Sequence, residues 1–409
     1  MPDQIRESST LPGMMGPVRA LFTFTGGSGH LLPALPIARA MAARGHEVAF
    51  SGQEAMLGAV RAAGFAAIGS GGSTLAEPAA RRPLVPVDRT AEEQVIRKSF
   101  AGRIGRERAM RLVGVAGQWR PDVIVRDEVD FGAAVAAERL DVPHVSIVVA
   151  AAGGLIRPDL VAEPLDALRA DHGLLPDPQL AMLHRYLTLV PVPLNYRTPT
   201  DPLPSTARHI QPAVLDSPRA TDAHEEATVR TLRWLAERTD HPTIYFTLGT
   251  IFHQESGDLF PRILAGLAHM RTNVVVTVGR EIDPMELGTQ PSNVHVERFI
   301  PQEAFLARCN AVVSHAGSGS VIGSLAFGVP LILLPMGADQ PLNADRCADL
   351  GVARVLDPMT ASAADVRDAV TAVLDLPAYR RAAEQIKNEI SRLPTADDAA
   401  AWIEALLRQ

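Results

Sequence analysis

The sequence predicts an α/β protein in two halves, each built on a parallel sheet. Three observations carry this prediction: the length, a repeated order of strand, helix and strand, and a proline-rich interruption between two such runs. The chain has 409 residues, and at about 100–200 residues per domain this length suggests two domains, each large enough to bury a core. A single small module is therefore excluded.

The first half opens with a short apolar strand and a glycine-rich turn. Val18 to Thr25 has the pattern of a buried strand, and GGSGH follows it directly. A helix then begins near Pro33, because proline is tolerated in the first helical turn, and it ends at Gly45. The same order of elements recurs at RPDVIVRD, FGAAVAAERL and PHVSIVVA, which is typical of parallel βαβ units covered by helices.

The pattern loosens between about Leu155 and Asp240, where prolines interrupt it, and it returns from Thr243. The strands and helices of a second α/β half follow as TIYFTLGT, LFPRILAGLAHM, VVVTVGR, NVHVERFI, AVVSHAG and VPLILLPM. The last segment, TADDAAAWIEALLRQ, carries its apolar residues on one stripe. It predicts an amphipathic helix that packs on a partner, which periodicity alone does not identify.

Composition excludes several classes of function. The chain has 39 basic and 46 acidic residues and a formal net charge of −7, so no strong positive field is available to hold nucleic acid or an anionic membrane. The two cysteines, Cys309 and Cys347, cannot build a disulfide framework and fit a reducing cytoplasm. The sequence shows no targeting signal and no run of about 18 apolar residues. We therefore expect a cytoplasmic protein without membrane insertion.

A glycine-rich loop lies between the first strand and the first helix, and it consists of Gly26, Gly27, Ser28, Gly29 and His30. Glycine lets the backbone approach a ligand closely, and a helix N-terminus offers unpaired N–H groups. The loop lacks the last glycine of the dinucleotide fingerprint GxGxxG and the Gly-Lys-Ser/Thr of a Walker A loop, so both motifs are excluded. His30 remains, either as a functional group at a crevice or as a capping or gap-filling residue, and this segment alone favours neither.

Acidic residues follow the apolar strand VIVR, namely Asp127, Glu128 and Asp130. Ligands of open parallel sheets lie beyond the carboxyl ends of strands, so Asp127 and His30 are expected at the same edge. An Asp that accepts from one ring nitrogen would make the other nitrogen a general base for a hydroxyl. The alternative is a solvated loop. A metal site is disfavoured because no His/Cys cluster and no second acidic motif complete a ligand set.

A third group of polar residues follows the strand CNAVVS and precedes a helix. Its members are His315, Ser318, Gly319 and Ser320. Such a loop suits a diphosphate, because backbone N–H groups, hydroxyls and the helix dipole all favour an anion. Asp339 and Gln340 follow the next strand, and a carboxylate beside an amide can bind the vicinal hydroxyls of a sugar. Taken singly, each of these residues is more often an ordinary loop residue.

Several long segments together resemble family 1 of the glycosyltransferases with the GT-B fold. The C-terminal resemblance runs through FIPQEAFLARCNAVVSHAGSGSVIGSLAFGVPLILLPMGADQPLNADRCADLGVARVLDP. FTGGSGHLLPALPIARAMAARGHEV and RPDVIVRDEVDFGAAVAAERLDVPHV resemble the N-terminal half of bacterial antibiotic-type members. The resemblance covers most of the chain in the expected order. It implies two facing Rossmann-like domains with parallel sheets and a C-terminal helix that crosses back to the N-terminal domain.

The resemblance also implies a division of the chain. We expect a flexible leader at 1–16, an N-terminal acceptor-binding domain at 17–215, a linker region at 216–242, a C-terminal nucleotide-sugar-binding domain at 243–390, and a C-terminal helix at 391–409 on the N-terminal domain. The resemblance therefore implies that the apolar stripe of the last helix packs on the N-terminal domain.

Individual residues receive roles by the same resemblance. His30 would be the general base on the acceptor hydroxyl and Asp127 its orienting partner. The other implied contacts are a loop near the acceptor (Gly27, Ser28 and Gly29), a diphosphate site (Thr250, His315, Ser318, Gly319 and Ser320), a base-stacking pair (Phe299 and Ile300) and a sugar site (Asp339 and Gln340). Family members commonly carry a ribose-binding Glu eight residues after the phosphate His, where this chain has Gly323. Both dTDP and UDP therefore stay open as donor nucleotides.

The implied activity is that of a Leloir-type hexosyltransferase that inverts configuration. It would move a sugar from dTDP or UDP to a hydroxyl of an apolar natural-product aglycone, with no metal and no cofactor beyond the nucleotide-sugar. The opening GGSGHLLPALPIA also resembles the lipid-linked N-acetylglucosaminyltransferase of peptidoglycan synthesis. A catalytically silent nucleotide-binding homologue that activates a partner enzyme is a further alternative. The identities of sugar and aglycone and the formation of a homodimer stay open.

Overall fold

A computed structural model describes residues 16–71, 83–215, 222–249, 255–279 and 281–408. The expected leader, apart from Gly16, and the expected diphosphate ligand Thr250 lie outside these ranges. Among the described residues, no helix is both long and apolar enough to cross a membrane.

The N-terminal domain is built on a parallel sheet with seven strands in the described residues. They are β1 (Arg19–Thr23), β2 (Glu47–Gly52), β3 (Ala66–Gly69), β4 (Val123–Asp127), β5 (His144–Ile147), β6 (Leu187–Val190) and β7 (Ala207–His209), in the order β3-β2-β1-β4-β5-β6-β7. The central strands β1 and β4 are almost wholly buried. Helices on both faces of a parallel sheet explain why their sequences are continuous apolar runs.

The C-terminal domain has a second parallel sheet, with six strands in the described part of the chain. They are β8 (Thr243–Thr247), β9 (Asn273–Thr277), β10 (Val294–Glu297), β11 (Ala311–Ser314), β12 (Leu331–Leu333) and β13 (Ala353–Val355), in the order β10-β9-β8-β11-β12-β13. The strand order reverses between β1 and β4 in the first sheet and between β8 and β11 in the second. Such a reversal opens a crevice at the carboxyl ends of the strands, and the loops there carry the predicted site residues.

Helices fill the connections between the strands. Their bounds are α1 (Ser28–Leu31), α2 (Leu35–Ala43), α3 (Leu57–Ala62), α4 (Arg89–Gln94), α5 (Gly105–Trp119), α6 (Phe131–Arg139), α7 (Pro158–Asp171), α8 (Ala181–His184), α9 (Asp222–Ala236), α10 (Leu259–Leu267), α11 (Ser318–Ala326), α12 (Gln340–Asp349), α13 (Ala363–Asp375), α14 (Pro377–Ile390) and α15 (Ala396–Leu406). A π-helical segment at Val95–Ile104 joins α4 to α5. Side chains cap several helix starts: Asp130 accepts from the Ala133 N–H at α6, and Thr395 and Asp398 form a capping box at α15.

The last helix returns to the N-terminal domain, which confirms the expected crossing. Ala399 and Ile403 of α15 are buried in one apolar cluster with Ile37 and Met41 of α2. The stripe predicted from the sequence therefore packs against the first helical layer of the other domain.

The proline-rich stretch is more regular than its sequence indicated. It contains α7, the strand β6, the edge strand β7, and α9, which lies inside the segment expected to be a linker. Pro164 lies inside α7 and Pro158 at its start, so prolines here begin or interrupt a helix that tertiary packing nevertheless keeps.

The two domains share a buried apolar interface. Val148, Ala151 and Tyr196 of the N-terminal domain belong to the same core cluster as Ala316 and Cys347 of the C-terminal domain. The crevices at the ends of the two sheets are consequently held close to each other across this interface.

Candidate active site

His30 and Asp127 meet at the crevice of the first sheet. His30 lies in α1, directly after β1, and its Nδ1 is 3.2 Å from Oδ2 of Asp127, the last residue of β4. Asp127 is buried, and its carboxylate also accepts from the backbone N–H groups of Thr25, Val129 and Asp130. The carboxylate is thus fixed by the turn that carries it, and the predicted pair is brought together.

The surroundings set the protonation of His30. Burial lowers the pKa of His30, but the charge of Asp127 and the hydrogen bond to it raise this pKa, and the charges of Asp339 and Glu128 add to the increase, so the net pKa lies above its ordinary value. With Nδ1 turned to Asp127, Nε2 is the ring nitrogen left for another proton. This arrangement suits a general base better than a helix cap, since the capping position of α1 is Gly27.

The glycine-rich loop leaves room for the imidazole. Gly26 has φ +134°, and a Cβ atom there would lie 2.5 Å from Cδ2 of His30. Gly27 precedes α1, and Ser28 and Gly29 form its first two residues. The three predicted loop residues therefore start the helix that carries His30, and a side chain at Gly26 would displace the ring.

The neighbouring carboxylates have separate partners. Glu128 accepts from the N–H groups of Val149 and Ala150, and the fully buried Asp130 forms an ion pair with the equally buried Arg108. The alternative of a solvated loop is therefore wrong. No group of three or more His, Cys, Asp or Glu residues placed to hold a metal ion occurs within the described ranges.

The second crevice carries His315 and the start of α11. His315 is buried after β11, and a Cβ atom at Gly249 or at Gly317 would lie 2.5 or 2.4 Å from its ring. Gly317 precedes α11, so Ser318, Gly319 and Ser320 form the first helical turn. The unpaired N–H groups and positive dipole end of this turn make it suited to an anion.

Asp339 and Gln340 lie at the start of α12 and are both engaged. The Ser318 hydroxyl donates to Oδ2 of Asp339 at 2.6 Å. Burial raises the pKa of Asp339, and hydrogen bonds from Ser318 and Asn343 partly offset this effect. Oε1 of Gln340 accepts from the N–H groups of Met336 and Gly337, which leaves the amide NH2 of Gln340 as the group that could contact a ligand.

The predicted base-stacking pair is divided between surface and core. Phe299 is half-buried after β10, whereas Ile300 belongs to the buried interface cluster. At the position of the missing family Glu, a Cβ atom on Gly323 would lie 2.7 Å from Nε2 of Gln302. The Gln302 amide therefore borders the space that a larger side chain at 323 would need.

Sequence reasoning missed Asn343 and Glu92 in this region, and it named Glu128 without assigning a role to this residue. Asn343 is fully buried and hydrogen-bonds both Ser318 and Asp339. Glu92 of α4 accepts from the Ala338 N–H, beside Asp339. Glu128 holds the loop after β5. The spacing of four residues between Asp339 and Asn343 on one helix was a usable signal, whereas the contacts of Glu92 and Glu128 depend on the tertiary fold.

Comparisons with known proteins agree with this architecture. Residues 261–406 match the C-terminal domain model of the erythromycin biosynthesis protein CIII-like family. The chain is 25% identical to tylactone mycaminosyltransferase of Streptomyces fradiae, over 95% of this chain and 92% of that protein.

Solved structures share the fold over nearly their whole length. The calicheamicin glycosyltransferase CalG4 aligns with a TM-score of 0.77 at 24% identity, covering 97% of this chain and 99% of that one. The spinosyn rhamnosyltransferase SpnG, solved with thymidine diphosphate, aligns with a TM-score of 0.77 at 23% identity, covering 94% and 100%. The C-terminal family match, the end-to-end relatives and the two-sheet architecture show a glycosyltransferase of the GT-B fold that is similar to enzymes of antibiotic pathways.

Proposed function

We propose that this glycosyltransferase moves a sugar from a nucleoside diphosphate to a hydroxyl of an apolar natural product, with inversion at the anomeric carbon and without a metal ion. The observation that carries the proposal is the His30–Asp127 pair, which lies near the sugar-site residue Asp339 of the other domain. The charge of Asp339 is close enough to raise the pKa of His30. An acceptor bound between His30 and Asp339 would therefore have the base on one side and the donor sugar on the other.

The reaction is a single displacement. Nε2 of His30 takes the proton of the acceptor hydroxyl, while the oxygen forms a bond to the anomeric carbon from the face opposite the diphosphate. The bond between that carbon and the diphosphate oxygen breaks, and the diphosphate leaves with the electron pair. Asp127 stabilises the imidazolium formed at His30.

The leaving diphosphate gathers negative charge beside α11. N–H groups of the first turn of this helix, at Ser318, Gly319 and Ser320, and the ring of His315 would stabilise that charge. Preorganised donors of this kind are each worth about 3 kcal/mol in a transition state. We also assign Thr250 to this site on the family pattern.

A thymidine diphosphate sugar is the favoured donor. Thymidine nucleotides lack the ribose 2′-hydroxyl, so they do not need the carboxylate that Gly323 fails to offer. The half-buried Phe299 can stack on a pyrimidine. The structural neighbour SpnG is described in complex with thymidine diphosphate. Asp339 and the amide of Gln340 would hold the sugar hydroxyls.

An aromatic side chain, Phe100, lies beside the base, which supports an apolar acceptor. The rings of Phe100 and His30 are stacked, with centroids 6.5 Å apart and planes at 21°. Phe100 lies in the π-helical segment and belongs to a buried cluster with Ile96, Val129 and Leu155. Segments of this kind are frequent at functional sites.

Product analysis tests the proposal. The purified protein is incubated with dTDP- and UDP-sugars and a panel of macrolactone and aromatic polyketide aglycones, with and without EDTA, and products are identified by mass and by anomeric NMR coupling. We expect a glycosylated aglycone of inverted configuration, with dTDP-sugars favoured and no effect of EDTA. Retained configuration, hydrolysis without transfer, or loss of activity in EDTA would contradict it.

A further inference from the structure

A loop of the N-terminal domain is hydrogen-bonded to the predicted donor site. The backbone N–H of Ala151 donates to the Ser318 Oγ at 2.9 Å, and that of Ala152 donates to the Asn343 Oδ1 at 3.1 Å. We name these four residues and Asp339 the interdomain clasp. These two hydrogen bonds join the two domains, and the other contacts of the clasp lie within the C-terminal domain.

The hydroxyl of Ser318 is fully used within the clasp. A hydroxyl has one hydrogen to donate and two lone pairs that accept. The hydrogen of Ser318 goes to Asp339 at 2.6 Å, and its oxygen accepts from Ala151 and from Nδ2 of Asn343, the latter at 3.1 Å. No hydrogen is left for a phosphate oxygen. The backbone N–H groups of the first turn of α11 are separate from this network.

Asn343 connects every C-terminal member of the clasp. It is fully buried one turn after Asp339 on α12. Its Nδ2 donates to Asp339 at 2.8 Å and to the carbonyl of Ala316 at 3.0 Å, in addition to Ser318. Asp339 Oδ2 therefore receives two hydrogen bonds, and these fix the orientation of its carboxylate.

Glu128 holds the N-terminal side of the clasp, and it directly follows Asp127, the hydrogen-bond partner of His30. Glu128 accepts from the N–H of Val149 at 2.7 Å and also from that of Ala150. Asp127 orients His30 from the preceding position. One short turn after β4 thus fixes both the base and the loop that contacts the donor domain.

We propose that Asn343 and the Ser318 hydroxyl are positioning residues that orient Asp339 for the donor sugar and tie that orientation to docking of the two domains. The Ser318 side chain accordingly acts on the sugar end of the donor and not on the diphosphate. This inference rests on the proposed function, because it assumes that Asp339 binds the sugar.

Binding and turnover separate this role from diphosphate binding. The variants are Asn343→Ala, Ser318→Ala, Ser318→Thr, which keeps the hydroxyl, and the control Asn273→Ala. Asn273 is a buried amide of the same domain that donates to the carbonyls of Arg238 and His241 at the other end of the sheet. The measurements are Kd for dTDP and UDP alone, and KM and kcat for the nucleotide-sugar.

We expect Asn343→Ala and Ser318→Ala to raise KM for the nucleotide-sugar about 10–100-fold, the effect of losing a hydrogen bond to a charged group, while Kd for dTDP changes less than about twofold. Ser318→Thr should restore KM to within about threefold, and Asn273→Ala should lower thermal stability with KM unchanged. If Ser318→Ala weakens dTDP as much as the nucleotide-sugar, the hydroxyl binds phosphate and the inference is wrong.

Amide hydrogen exchange tests the hydrogen bonds of the clasp independently of turnover. In the wild type the Ala151 and Ala152 amides should exchange slowly. Asn343→Ala should speed exchange at Ala152 and Ser318→Ala at Ala151, whereas Asn273→Ala should change neither. Unchanged exchange in both clasp variants would refute the clasp, while a wild type that exchanges as expected but transfers no sugar would refute only the proposed function.

Discussion

Glu404 of α15 and Arg44 at the end of α2 form a two-point ion pair, with Oε1 2.7 Å from Nε and Oε2 2.9 Å from Nη2. The ring of His46 also lies 2.8 Å from Oε1 of Glu404. These contacts fasten the last helix to the N-terminal domain. The Arg44 hydrogen bonds lower the pKa of Glu404 to about 2.

Glu404→Gln should lower the free energy of unfolding by about 1–2 kcal/mol, a modest effect because Arg44 is partly exposed. The depressed pKa means that the carboxylate contributes fully above its unfolded-state pKa of about 4.3 and less as the pH falls toward 2. Urea unfolding between pH 7 and 3 should therefore show the difference between wild type and variant shrinking on acidification. Glu384→Gln, which breaks an exposed pair with Arg380 inside α14, is the control and should cost at most about 0.5 kcal/mol.

His30→Ala should reduce kcat about 10²–10⁴-fold, because the variant lacks the proposed general base. Binding of dTDP, measured by calorimetry, should be unchanged, because His30 belongs to the acceptor side. His269→Ala, at an exposed position after α10, serves as control and should retain full kcat. An unaltered rate in His30→Ala would rule out His30 as the base.

Asp127→Asn should lower kcat and shift its pH dependence. His30 acts as a base only when neutral, so the rate of the wild type rises with pH through the raised pKa of His30, above the ordinary value of about 6.5. Removing the negative charge lowers this pKa, and the rising limb should move to lower pH. A pH profile of kcat from 5 to 9 checks the direction, and a limb that stays in place would show that another group titrates.

Gly26→Ala should reduce kcat by about 10²-fold, since the new methyl group would lie against the His30 ring and small displacements of a catalytic group have such effects. The positive φ of Gly26 adds strain of about 1–3 kcal/mol. Gly117→Ala in α5 has open space at its Cβ position and is the control. A fully active Gly26→Ala enzyme would mean that the ring position is not critical.

Gly323→Glu should shift donor preference toward uridine. A carboxylate at this position could accept from a ribose 2′-hydroxyl, so the ratio of the Kd values for UDP and dTDP should fall about tenfold. The new side chain must displace the Gln302 amide, so Gln302→Ala is measured alongside and should leave the ratio unchanged. Equal weakening of both nucleotides would indicate steric damage and not recognition.

The sequence was sufficient where local pattern and sheet topology act together. Apolar runs predicted β1, β4, β8 and β11, and the rule that ligands lie at carboxyl ends of strands predicted that His30 and Asp127 would meet. Neither inference required knowledge of the interface between the domains.

Features that depend on packing were not predictable in this way. Prolines obscured β6, β7 and α9, because tertiary packing overrides weak local signals. The bond between Ala151 and Ser318 joins positions 167 residues apart in the chain, and Ile300 is buried in a cluster that contains residues of both domains. The spacing of apolar residues along the sequence gives no signal for contacts between such distant positions.

The polypeptide passes between the domains twice, once after β7 and once before α15, and the two passages run side by side: the Gln211 N–H donates to the carbonyl of Pro394 at 2.8 Å. Both connections between the domains are therefore adjacent to each other. A relative movement of the two domains that kept both connections and this hydrogen bond intact would therefore be a rotation about this part of the molecule.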